Sequence, residues 1–318
     1  MSRALPEQSF RLLPHMVPHV RISPFLPDRW EDYASLALKA GQGGRALAPD
    51  RWLNDAGSLE FFDSGRSAIW ACLVNEGLRP DDEVLIVKTF PGPYISSCVT
   101  NTIRRVCRWS QKFSSRTRLI LVIHEFGFPC PEKYYAGYQK KGIPIVEDCA
   151  YGVGTRFSSG GVGRRGDYAL YSLTKFFPVP FGGLLASRKR LPLSRIRPCG
   201  HFAGKRFMAG FIDAASRDLK SWSERRRAHW MFFARRLKTA GLRPYAVLRP
   251  GVVPGVFLAA VPKGFPGAAC KARLVEAGVE ATEYYGQGGF YFPVHQFLSG
   301  YEKEYILAQL FEALHKRR

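Results

Sequence analysis

The chain has 318 residues, 46% of them hydrophobic and 23% charged, the balance of an ordinary globular protein with a core large enough for one large domain or two modest ones. Lysine and arginine number 47 against 26 acidic residues, a formal net charge of +21. No helix-turn-helix, RRM or KH signature accompanies that charge, so it does not by itself make a nucleic-acid binder; an anionic substrate or a solvated surface accounts for it equally.

Residues 1–45 are proline-rich and irregular and read as an N-terminal arm; Pro6, Pro14 and Pro18 interrupt any apolar stretch, so no signal peptide is expected. From Leu59 the pattern changes to alternating helix and strand signals. Helices are predicted over 66–76, 94–107 and 132–141, and short buried strands over 82–88, 118–126 and 143–150, with two more in "DYALYSL" (167–173) and "GGLLAS" (182–187). Such alternation predicts an α/β layer with a mostly parallel sheet. A long Arg-rich amphipathic segment follows, about 212–240. After the proline-broken "GVVPGVFLAAVP" (251–262), too short and interrupted to span a bilayer, come a helix, a strand and a terminal helix over 270–318. The simplest division is an arm (1–45), a large α/β domain (46–220) and a small C-terminal α+β domain (221–318). The cysteines at 72, 98, 107, 130, 149, 199 and 270 show no C-x-x-C spacing, which points to reduced thiols in a cytoplasmic protein with neither a zinc site nor a disulfide frame.

Four stretches carry chemistry. In "DSGRSAIW" (63–70) a small polar turn with Ser64, Gly65 and Arg66 opens a helix, which is an anion cradle or simply a capped helix start. In "TFPGPYISS" (89–97) Tyr94 follows two prolines and a glycine, either as a plate over a flat ligand or as a core aromatic. In "IPIVEDCAYGVG" (143–154) Glu147 and Asp148 end an apolar strand, where open α/β sheets bind ligands. In "ALYSLTKFFPVPFGGLLAS" (169–187) Lys175 stands in uncharged surroundings, three residues after Ser172; burial or neighbouring charge makes such an amine nucleophilic. A cradle, a plate, a strand-end carboxylate and an apolar lysine together fit pyridoxal 5'-phosphate, and only the lysine and the aspartate jointly single out that cofactor.

In order along the chain, "DSGRSAIWACL", "VIHEFGFPCP", "GIPIVEDCAYGVGTRF", "VGRRGDYALYSLTK", "ERRRAHWMFFARRL" and "FYFPVHQFLS" resemble the DegT/DnrJ/StrS aminotransferases. The resemblance implies a fold-type I, aspartate aminotransferase-like large domain with a small C-terminal domain. It implies a homodimer whose sites lie at the interface, and amino transfer from an amino acid such as glutamate to a nucleotide-linked keto sugar. It also implies that Lys175 bonds to the cofactor and moves the α-proton, that Asp148 pairs with the pyridine nitrogen, and that Ser64, Gly65, Arg66 and Ser172 hold the phosphate. Tyr94 would stack on the ring, Tyr151 would lie near its phenolic oxygen and His295 near the substrate. "CGHFAGKRFMAG" resembles the family loop that reaches into the partner's site and makes His201, Lys205 and Arg206 candidate contacts there. Three departures stand out: Ser172 is two residues nearer the lysine than in relatives, the segment before Arg118 is shorter, and His201 or Phe202 replaces an asparagine. A second reading keeps the fold without catalysis and uses the basic surface to bind a partner; a third is a pyridoxal-phosphate enzyme of another reaction type.

Overall fold

The computed structural model describes residues 18–42, 57–157, 160–189 and 191–315. In chain order it contains α1 (Pro27–Gln42), β1 (Ser58–Phe62), α2 (Gly65–Asn75), β2 (Glu83–Lys88), α3 (Ser97–Arg104), β3 (Arg108–Ser110), β4 (Thr117–Ile123), α4 (Ala136–Gln139) and β5 (Ile145–Asp148). A small hairpin, β6 (Arg156–Phe157) and β7 (Gly160–Gly161), precedes β8 (Tyr168–Ser172), β9 (Gly183–Ser187), α5 (Leu193–Ile196), α6 (Lys205–Ser216) and α7 (Leu219–Lys238). The remainder is β10 (Arg243–Pro244), β11 (Val256–Ala260), α8 (Gly267–Glu276), β12 (Thr282–Tyr284), β13 (Gly289–Pro293) and α9 (Gly300–His315).

Seven strands form the main sheet in the order β1-β9-β8-β5-β4-β2-β3. From β3 to β8 all neighbours are parallel, whereas β9 runs antiparallel to both β8 and β1. The α/β expectation is therefore met. The parallel strands are apolar because helices and loops cover both faces: Val84, Leu85, Ile86, Leu119, Ile120, Leu121, Val146 and Leu170 are buried. The C-terminal ends of β2, β4, β5 and β8 lie along one edge of this sheet, the side on which open α/β sheets bind ligands. A separate antiparallel sheet, β10-β11-β13-β12, packs with α7, α8 and α9 around Phe233, Phe257, Phe290, Phe292, Leu274 and Ile306.

Several elements differ from the sequence expectation. The predicted helix 94–107 shortens to α3, leaving Tyr94 in the preceding loop. The predicted helix 132–141 is a 3-10 turn, Glu132–Tyr134, followed by the single turn of α4, because Tyr135 between them is in a non-helical conformation (φ −133°) and buries its ring. The Arg-rich segment breaks into α6 and α7 at Arg217–Asp218, where Asp218 Oδ2 accepts the Tyr33 hydroxyl at 2.6 Å. The largest difference lies in the arm. Its residues 1–17 and 43–45 are outside the described residues, but 27–42 form a helix, not an irregular lead-in. Trp30, Tyr33 and Ala37 recur at helical spacing and bury against α6 and α7, with the Trp30 ring 5.0 Å from Phe211 and the Tyr33 ring 5.7 Å from Trp222. The upstream prolines hide this helix in the sequence, yet none lies inside it beyond its first residue, where proline is tolerated. Residues 19–22 run along the segment between α8 and β12, where Glu280 N–H donates to the Val20 carbonyl at 2.8 Å. Among the described residues no helix is long and apolar enough to cross a membrane, and all seven cysteines are free.

Candidate active site

The strand ends and the start of α2 enclose a cavity of about 650 Å³, lined by Ser64, Gly65, Arg66, Tyr94, Asp148, Tyr151, Ser172 and Lys175. The structure thus brings together every residue that the sequence suggests for cofactor binding. The reason is topological: three of the four stretches lie at or just beyond the C-terminal edge of the parallel strands, and β9 closes on the fourth. Ser64 caps α2 by accepting the Ser67 N–H at 3.3 Å, which leaves the first N–H groups of the helix without intrahelical acceptors. Two glycines let the backbone close in here. A Cβ on Gly183 would stand 2.1 Å from the Ser64 carbonyl oxygen, and one on Gly65 would stand 3.2 Å from the Ser172 Cβ. Gly183→Ala should therefore push Ser64 off its position and weaken binding of a phosphate-bearing ligand by about ten-fold or more; equilibrium dialysis against the parent protein measures this.

Adjacent residues of β5 point to opposite faces, and the two acids divide accordingly. Glu147 turns away from the cavity and accepts the N–H groups of Gly163 (2.9 Å), Arg165 (2.7 Å) and Gly166 (2.7 Å), with His124 Nε2 at 2.9 Å. Burial pushes Glu147 up, but these donors outweigh it and hold the carboxyl below its usual range. His124, Glu147 and Cys149 lie close enough to suggest a metal site, but both imidazole nitrogens are engaged, Nδ1 accepting the Cys130 N–H at 3.0 Å. Glu147 is an organiser of the loop that precedes β8. Asp148 faces the cavity and is 5% exposed; burial pushes its carboxyl up to about 6. Its Oδ1 accepts the Ala150 N–H at 2.9 Å, and its second oxygen has no donor among the described residues.

Lys175 ends a single 3-10 turn, Leu173–Lys175, so the short spacing still places Ser172 and Lys175 on the same cavity wall. Its amine lies 5.3 Å from the Tyr151 ring centroid. The Tyr151 phenol holds the ammonium above the usual lysine range against the opposing effect of burial. Apolar surroundings alone would lower this pKa, but the neighbouring phenol stabilises the charged form. The backbone of the turn is fastened from two sides. Ser23 Oγ donates to the Thr174 carbonyl at 2.9 Å, and Arg226 Nη2 of α7 donates to the Lys175 carbonyl at 2.9 Å. Arg226 is 1% exposed, donates through Nε to Gln296 at 2.7 Å, and lies 4.5 Å above the Phe176 ring.

The four remaining candidates lie elsewhere. His201 Nε2 and Lys205 Nζ both meet the Glu60 carboxylate, at 3.1 and 3.0 Å, and Arg206 is exposed on α6. Within this chain none of the three lines the cavity. His295 is buried behind it. Its Nδ1 accepts the Phe297 N–H at 3.2 Å, its carbonyl meets His229 Nδ1 at 3.0 Å, and burial, aided by Arg226 and His229, pushes its imidazole down to about 3. It is a buried, neutral histidine just after β13.

Sequence reasoning passed over Lys88, Glu125, Phe126 and Tyr291, which also line the cavity. Lys88 ends β2 and is 4% exposed; Glu125 follows β4. Phe126 has φ 55°, the one positive-φ non-glycine residue among those described, and its ring lies 4.8 Å from Tyr291. Just before it, Glu125 is held beside Lys88 by the Tyr284 hydroxyl and the Phe90 N–H. A charged residue closing the apolar run "EVLIVK" was the available signal.

Comparison with known proteins gives the following. Residues 105–189 match the DegT/DnrJ/EryC1/StrS aminotransferase family. A 98-residue stretch is 28% identical to GDP-perosamine synthase of Escherichia coli O157:H7, covering 30% of this chain and 26% of that protein. A 64-residue stretch is 38% identical to UDP-N-acetyl-3-dehydro-alpha-D-glucosamine 3-aminotransferase of Acidithiobacillus ferrooxidans, covering 20% of this chain and 16% of that one. The matched stretches thus span about a quarter or less of these relatives' length. The crystal structure of the aminotransferase TlmJ from Streptoalloteichus hindustanus superposes with a TM-score of 0.72 at 18% identity, over 95% of this chain and 100% of that one, and shows the shared fold. The family match thus lies within residues 105–189, inside a fold shared with that structure over nearly the whole chain.

Proposed function

We propose that the protein is a pyridoxal-phosphate-dependent aminotransferase that moves an amino group from an amino acid, glutamate by resemblance, to a keto sugar carried on a nucleotide, and that it works as a homodimer. The observation that carries this reading is the meeting of Lys175, Asp148 and the α2 N-terminus in one cavity. The residues suit the cofactor. The free N–H groups at Gly65 and Arg66, at the positive end of the α2 dipole, suit a phosphate. Asp148 is a buried carboxylate with one oxygen lacking a donor among the described residues, which suits a protonated pyridine nitrogen. Tyr94 and Tyr151 offer ring faces and a phenol beside the amine. The two relatives matched in sequence, GDP-perosamine synthase and a UDP-sugar 3-aminotransferase, support a keto sugar as acceptor.

When bound, the cofactor supplies a ring that accepts the electron pair left on the amine-bearing carbon. The protein's own groups do the rest. Asp148, when ionised, would hold a proton on the ring nitrogen and so favour an electron-poor ring. Lys175 Nζ would hold the cofactor and, when free, would be the base that moves a proton at the amine-bearing carbon. Tyr151, whose ring centroid is 5.3 Å from the Lys175 amine, would exchange a hydrogen bond with it. Protein loaded with the cofactor should absorb visible light, and borohydride reduction should fix the cofactor mass on the peptide bearing Lys175. A colourless protein that takes up no cofactor would sink this reading.

A further inference from the structure

Lys88 is a buried ammonium with poor partners. It reaches Glu125 Oε1 and the Tyr284 hydroxyl, both at 3.4 Å, longer than an ordinary N–H···O bond. An ammonium has three donors, and no third partner exists for it among the described residues. Glu125, by contrast, is satisfied without it: Oε1 accepts the Tyr284 hydroxyl at 2.8 Å and Oε2 accepts the Phe90 N–H at 2.8 Å. Both Lys88 and Glu125 line the cavity that holds Lys175. The Tyr284 hydroxyl and the Phe90 N–H hold Glu125, so the carboxylate stays in place if a ligand draws Lys88 away.

The cations lining the cavity among the described residues are Arg66, Lys88 and Lys175. Arg66 is exposed at the start of α2, the end suited to phosphate, and Lys175 is committed to the cofactor. An amino-acid donor brings a carboxylate on the carbon that loses its amine, and burying that charge among aromatic walls requires a cation with a free donor. We propose that Lys88 is the docking cation for the carboxylate of the amino donor, an inference that rests on the aminotransferase reading. The carboxylate would replace two long contacts with a short charged hydrogen bond. Glu125 would keep its bonds to Tyr284 and Phe90 and restrain the lysine stem. The pair then admits amino acids and disfavours simple amines.

The test uses cofactor-loaded protein without any acceptor. L-Glutamate, L-glutamine, L-aspartate and L-alanine are mixed with it singly, as is isopropylamine, which has no carboxylate, and the change in visible absorption is followed. The wild type should convert with at least one amino acid. In Lys88→Met the apparent Kd for that donor should rise about ten- to a hundred-fold, while the resting spectrum and the slow reaction with isopropylamine stay unchanged. Lys88→Arg should retain most of the affinity. Lys88→Met/Glu125→Gln leaves no unpaired buried carboxylate, and the same loss there separates the effect from damage to folding. Calorimetry gives a readout free of turnover: glutarate should bind the wild type and lose that affinity in Lys88→Met. Wild-type affinity in both methionine variants overturns the inference, as does an equal loss with isopropylamine or no binding of glutarate by the wild type. A loaded wild type that reacts with none of the amino acids overturns the aminotransferase reading itself, a result distinct from the others.

Discussion

Lys175→Ala should abolish turnover, lowering kcat by ~10³-fold or more, because it removes both the cofactor's covalent anchor and the base that moves the proton. The fold should persist. The side chain lines a cavity and is not packed in the core, and what fastens the turn is its backbone, through the Thr174 and Lys175 carbonyls. The variant should therefore melt near the parent's Tm in the absence of cofactor, and borohydride should leave no cofactor mass on its peptides. Turnover retained within a few-fold of the parent would refute the role given to this amine.

Asp148→Asn should produce two effects of opposite benefit. The loaded enzyme should lose ~10²-fold or more in kcat, since an amide cannot keep the ring nitrogen charged. The cofactor-free protein should gain stability at neutral pH, and the sign follows from the site. Burial pushes Asp148 up to about 6 from a usual 3.8, so between those values the folded chain holds a proton that the unfolded chain has released. Its contribution to stability is therefore greatest at low pH and is lost as pH rises from about 4 to about 6. Asparagine carries no charge to bury. At pH 7 the variant should exceed the cofactor-free parent by about 1–3 kcal/mol, an advantage that vanishes below pH 4. Denaturant melts at pH 4, 5.5 and 7 measure this directly; an advantage that does not depend on pH would mean that Asp148 is not the buried charge described.

The sequence made the parallel sheet and the cofactor-side residues legible for one physical reason. In a parallel sheet the chain emerges from each strand at the same edge, so a polar residue that terminates an apolar run reports a site locally. Asp148 after "IPIVE" and Lys175 after "DYALYSLT" are such signals. Lys88 after "EVLIV" is another, passed over because it lacked a partner in the sequence: Glu125 lies 37 positions away, and Tyr284 lies 159 beyond that. His295 shows the reverse problem. Its motif was visible, but it is buried beside Arg226 and His229, and those neighbours come from α7, with His229 66 positions earlier. The pairing of His201 and Lys205 with Glu60 depends likewise on β1 meeting the start of α6, which no local pattern encodes. Helix α1 was hidden by the prolines before it, although its aromatic spacing was regular.

The turn that carries Lys175 is tied to Ser23, 151 positions earlier, and to Arg226, 51 positions later, which is itself braced by Gln296 another 70 positions on. Contacts this distant in sequence are the slowest to form, since each must close a long loop before it is rewarded. A nascent or partly unfolded chain can hold its parallel strands and still have no seat for the amine. Capture of the cofactor is then a report that both ends of the polypeptide have arrived, and its binding energy is added to the stability of the finished molecule alone.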